Sequence, residues 1–127
     1  MIRLSYEPSV QAVFSSVLPP FARVHGDPAH LRRRVSWPLL ARATGLGQIQ
    51  GGEIVLVPPG RGDKIIPHAA ELAGAGVAAL VVAGELAQEE VSSLHDSGMP
   101  VAVVGGDGDV RRIQSEMEQY IIRRRRE

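Results

Sequence analysis

The residues best suited to chemistry lie where an apolar run gives way to a helical segment: Arg61, Asp63 and Lys64, with His68 close behind. Backbone N–H groups in the glycine-containing loop 58–64, beside the polar cluster of Arg61, Asp63 and Lys64, can receive an anion. His68, at the start of the following helix, has the chemistry of a general acid or base, with Asp63 as the carboxylate that would orient it. The loop matches neither the Gly-x-Gly-x-x-Gly spacing nor the Gly-x-x-x-x-Gly-Lys-Ser/Thr spacing that cradles nucleotide phosphates, so neither kind of site is expected. Glu85 follows a second apolar run at an expected helix start. There a carboxylate gains about 0.3–1 kcal/mol from the helix dipole, with ligand contact as its sharper role. Gly105 and Gly106 follow a third run and lead into Asp107 and Asp109. Without the twelve-position calcium loop, these two acids read as helix caps rather than metal ligands. His25, His30 and His95 have no metal-ligand spacing. The candidate ligand-binding residues are therefore Arg61, Asp63, Lys64, His68, Glu85, Gly105 and Gly106; no catalytic set, metal or cofactor is expected.

These residues need a scaffold that brings strand ends together. Three apolar runs, Glu53–Val57, 77–83 and 101–104, each end in glycine or proline and are separated by helical segments. Uninterrupted apolar runs fit strands covered on both faces, so the region 51–106 reads as a βαβαβ unit with parallel strands. Its strand ends would deliver the loops 58–64, 84–85 and 105–109 to one edge of the sheet, where small-molecule sites of such folds lie. In this reading the third loop falls beside the first. The expected fold class is α/β, a two-layer or three-layer sandwich around a mainly parallel sheet with a C-terminal connector helix.

The flanks are less regular. Ser9 caps an expected helix over 9–18, with Val10, Val13, Phe14, Val17 and Leu18 on one face and Pro19 and Pro20 as its stop. A short strand is expected over 21–24, entering the turn at Gly26, Asp27 and Pro28. Arg32, Arg33 and Arg34 read as a solvated charged turn in preference to a phosphate contact. Trp37, held extended by the proline that follows, belongs to the core or a crevice wall. One helical turn is expected over 39–43. Pro67 suits the first turn of the helix after the first strand, and Ala87, Val91 and Leu94 share the apolar face of the next. The segment 110–122 is helical, with Val110, Ile113, Met117, Tyr120 and Ile121 forming a stripe that either packs on the domain or pairs two copies. The arginines at 123–126 continue without a turn signal, which reads as the start of a linker in a longer protein.

Length and composition bound these expectations. A chain of 127 residues suits one domain, divided into a helical and extended part (1–50), the βαβαβ core (51–106) and the C-terminal helix with the start of a linker (107–127). Lys plus Arg and Asp plus Glu are equal at 14 each, which removes any global field for nucleic acid or membrane. Only 4% of residues are aromatic, so Val, Leu, Ile and Ala must fill the core. Cysteine is absent, which excludes disulfides and thiolate chemistry. With no apolar stretch near the roughly 18 residues of a membrane span and no signal-peptide pattern, a cytoplasmic location is expected.

The opening helix, Val24 with Gly26, RRRVSWPLL at 32–40, GGEIVLVPPG at 51–60, ELAGAGVAALVVAG at 71–84 and SSLHDSGMPVAVVG at 92–105 occur in an order that resembles the N-terminal domain of the purine catabolism regulator (PucR) family of bacterial transcription regulators. Pro58, Pro59 and Gly60 stand where family members carry a threonine-containing glycine turn. The resemblance implies a noncatalytic sensory or dimerisation domain that transmits binding of a small-molecule effector to a separate DNA-binding domain. Its expected partners are a second copy and an effector, with DNA reached only through a domain absent from this chain and no membrane contact. The competing expectations are a purely structural interaction domain and a small α/β enzyme using His68 in the strand-end crevice.

Overall fold

The computed structural model describes residues 7–41, 48–105 and 109–125, with the side chain of Asp63 outside the description. Helix α1 (Val10–Val17) is followed by strand β1 (Arg23–His25), helix α2 (Pro28–Leu31) and strands β2 (Trp37–Leu40) and β3 (Glu53–Val57). Then come α3 (Gly62–Ile65), a 3-10 turn (Ile66–His68), α4 (Ala69–Gly74), β4 (Ala79–Val82), α5 (Gln88–Asp96), β5 (Val101–Val103) and α6 (Val110–Arg125). The five strands form one mixed, mainly parallel sheet in the order β1-β5-β4-β3-β2. Strands β2 to β5 run parallel, and β1 joins β5 antiparallel, with Val24 opposite Ala102.

The three expected runs are all strands, and β3 has the bounds read from sequence. All five β3 residues are buried, because apolar cover lies on both faces. Ile54 and Leu56 meet Val13 and Phe14 of α1 with Ile113, Met117 and Ile121 of α6. Val55 and Val57 point the other way, toward Leu72 of α4 and Leu94 of α5. Chirality explains this division. Strands β3, β4 and β5 advance stepwise across the sheet, and right-handed crossovers then place α4 and α5 on one common face. Helix α6, after the last of these strands, covers the other.

Two expectations about the N-terminal part need correction. In the segment expected as a helical turn over 39–43, Leu39 and Leu40 belong to β2, with Trp37 to Leu40 in register with Glu53 to Leu56. Pro38 is tolerated because β2 is the sheet's edge, where one backbone side needs no ladder partner. The expected strand over 21–24 is shifted to Arg23–His25. Helix α1 agrees with expectation: Ser9 Oγ accepts the N–H of Ala12 at 3.1 Å, and the helix stops before Pro19. The helix around Pro67 is in fact three short pieces, with the proline in the 3-10 turn.

The glycine pair before β3 stitches together the N-terminal ends of three parallel strands. Gly51 and Gly52 have φ of 113° and 84°, which carry the chain around so that its amides face inward. Gly52 N–H donates to the Gly76 carbonyl ahead of β4, and its own carbonyl accepts the Ser36 N–H ahead of β2, both at 2.7 Å. Ser36 Oγ donates to the Gly51 carbonyl at 2.8 Å. Glu53, the buried charged residue of the core, points its carboxylate back into this knot. It accepts the N–H groups of Gln50 at 2.7 Å and Gly51 at 2.8 Å.

Candidate functional site

Because β3, β4 and β5 are parallel, their C-terminal ends share one edge of the sheet, opposite the glycine knot. The strand order separates the first and third loops, however: the end of β4 lies between them, so the turn after β5 is not the neighbour of loop 58–64. The neighbour of β5 on its other side is β1. A groove of about 460 Å³ opens there, between the end of β4 (Gly84, Glu85, Leu86), the end of β5 (Val103, Gly105), the β1 segment (Phe21, Arg23, His25) and Val91 of α5.

Of the seven expected ligand residues, Glu85 and Gly105 line this groove. Arg61 is half-buried and Lys64 and His68 are exposed on the far side of the β4 end, at α3 and the 3-10 turn. His68 Nδ1 lies 3.6 Å from Glu71 Oε1, one helical turn on, with both side chains largely in solvent. Gly106 and Asp107 lie outside the described residues, as does the side chain of Asp63.

Glu85 is not at a helix start. It stands in the extended link before α5, which begins at Gln88, and this frees its carboxylate from a dipole role. The capping function falls instead to Glu90, whose Oε1 accepts the Ala87 N–H at 2.9 Å. Asp109 caps α6 as expected: its Oδ1 accepts the N–H groups of Arg111 at 3.1 Å and Arg112 at 3.2 Å.

The groove has mixed chemistry. Arg23 and His25 stand two apart on β1, so both side chains leave the same face of the strand. Glu85 supplies a carboxylate, while Leu86, Val91, Val103 and the 65% exposed ring of Phe21 supply apolar surface. A ligand with a flat apolar body and both donor and acceptor groups fits such a lining. Sequence reasoning missed Phe21, Arg23 and His25. Alternation in Arg-Val-His hinted at a strand, but nothing local says which edge of the sheet it joins.

The stripe on α6 is used inside the chain. Val110, Ile113, Met117 and Ile121 are buried against the sheet and α1, and Tyr120 packs beside them. Of the two readings of this stripe, packing on the domain is what the structure displays, and those four side chains are not available to a second copy. Elsewhere Asp27 approaches two histidines, His30 at 3.9 Å and His95 at 4.0 Å. Among the described residues no three such side chains form a group able to hold a metal ion, and no helix is long and apolar enough to cross a membrane.

The chain matches no protein-family model, no curated protein and no solved structure.

Proposed function

We propose that the chain is a noncatalytic sensory domain of a bacterial transcription regulator, in which a small-molecule effector occupies the β1-β5-β4 groove and acts through α6. The observation that carries this reading is the groove's position: Gly105 lines it, and Asp109, a few residues on, caps α6. An occupant pressing on the end of β5 can therefore favour one placement of α6 over another, and a ligand with different affinity for two placements shifts their populations. Helices on both faces make the fold a three-layer sandwich, with α6 as the connector to attached domains. The resemblance of the 32–40, 51–60, 71–84 and 92–105 segments to the PucR-family N-terminal domain supports the same reading.

The test is a calorimetric and thermal-shift screen of purines, nucleotides and small carboxylates, followed by Arg23→Ala and Glu85→Ala. A ligand that binds the native chain should lose at least tenfold in affinity with one of these changes. Binding that survives both would locate the ligand elsewhere, and no binding across the screen would remove the sensory reading.

A homodimer remains part of the proposal, but through another surface than the α6 stripe. Phe21 and Val24, 65% and 45% exposed, lie on and beside the edge strand β1, and an open strand edge is a template for pairing. Sedimentation of Val24→Lys against the native chain decides it: a dimer unchanged by that substitution does not use β1.

A further inference from the structure

The zero net charge conceals a separation of charge between the two faces of the sheet. From Lys64 to Arg111 the sequence carries no lysine or arginine, while Glu71 of α4 and Glu89, Glu90 and Asp96 of α5 are all in this interval. These helices cover one face. On the other side α6 carries Glu116 and Glu118 near its middle, but arginines gather in two runs far apart in sequence: Arg32 to Arg34 before β2, and Arg123 to Arg125 at the end of α6.

The fold joins the two runs. Arg125 Nη2 donates to the carbonyl of Ser36 at 2.9 Å, which fixes the end of α6 beside the segment that carries Arg34. Arg34 Nη1 donates to the carbonyl of Glu7 at 2.7 Å. Both guanidinium groups are thus held by neutral carbonyl oxygens, which orient them without cancelling their charge. Arg112 differs: it pairs with Glu116 at 3.2 Å. Arg32, Arg34, Arg123 and Arg125 are exposed, and Leu31 and Val35, on either side of the first run, pack into the α1 and α6 cluster. Arg33 is half-buried and turns toward Gly98.

We propose that Arg32, Arg34, Arg123 and Arg125 form a docking surface for the phosphate backbone of a nucleic acid duplex. Guanidinium groups suit this partner because each presents a planar fork that pairs with two phosphate oxygens. The acidic α4 and α5 face orients the molecule, since it is repelled by the same polyanion. The contact carries no base specificity, and it adds to whatever sequence reading an attached domain provides.

The experiment is fluorescence anisotropy of the full chain with a labelled 20-base-pair duplex of mixed sequence. Four phosphate contacts predict a log–log salt slope of about −3.6, so that affinity falls about 150-fold between 50 and 200 mM salt. R32E/R34E and R123E/R125E should each weaken binding at least tenfold. R111E/R112E makes the same change in net charge roughly 20 Å away along α6 and should alter affinity less than about threefold. If a reversed variant melts early, R32Q/R34Q and R123Q/R125Q keep a donor for the two carbonyls, and each should bring the slope to about −1.8. No binding at 50 mM salt, equal weakening by R111E/R112E, or binding to anionic lipid vesicles in place of the duplex would overturn the proposal.

Discussion

Glu53 accepts the backbone N–H of Gly51 at 2.8 Å, so the carboxylate that opens β3 closes the turn just before it. With Gln50 N–H on the other oxygen, the buried charge is held by two backbone dipoles, in a knot that also fixes the starts of β2 and β4. The carboxylate therefore has a structural task, at the edge of the sheet away from the groove.

Glu53→Ala leaves the two amide donors without their charged acceptor in a buried place. It should lower unfolding free energy by about 2–3 kcal/mol in urea titrations, whereas Glu85→Ala, exposed in the groove, should change it by less than about 0.5 kcal/mol.

Gly52 and Gly60 share nearly the same φ, 84° and 83°, and differ in surroundings. A methyl group on Gly52 would meet Ser36 Oγ at 3.0 Å and its backbone N at 3.1 Å, while one on Gly60 meets nothing within 4 Å. Gly60→Ala should cost about 1–2 kcal/mol from backbone conformation alone. Gly52→Ala should cost clearly more, because Ser36 N is held by its bond to the Gly52 carbonyl and cannot retreat. Parallel thermal melts would check the order.

Met117 is fully buried and Ile122 is 42% exposed on the same helix. Met117→Ala should destabilise by about 2–5 kcal/mol, and Ile122→Ala by about 0.5 kcal/mol or less. Equal effects in chemical denaturation would mean that α6 does not seat on the sheet as described.

Asp109→Ala removes the acceptor for the Arg111 and Arg112 amides and should cost about 1 kcal/mol. Asp109→Asn, which keeps an acceptor oxygen, should recover most of it. Helical content by circular dichroism and melting temperature provide the measurement.

What the sequence made legible follows physical range. The β3 and α1 limits, the capping by Ser9 and Asp109 and the seat of Leu94 depend on neighbours a few residues away, and all were readable. The strand at Trp37–Leu40 was not, because its conformation comes from pairing with Glu53–Leu56, and the proline before Leu39 pointed only to an extended Trp37. Half of the groove escaped for the same reason. Glu85 and Gly105 lie at the ends of recognisable strands, but Arg23 and His25 join them through the pairing of β1 with β5, which no local pattern encodes.

That pairing also orders events in time. Arg23 faces Val103 across the antiparallel ladder, and α1 shares its hydrophobic cluster with α6. During synthesis β1 must wait unpaired until β5 has emerged, since the strand it joins is the last of the five described strands. High contact order of this kind slows folding and exposes a strand edge meanwhile. Arg23 and His25, placed on that waiting edge, discourage premature association before β5 arrives.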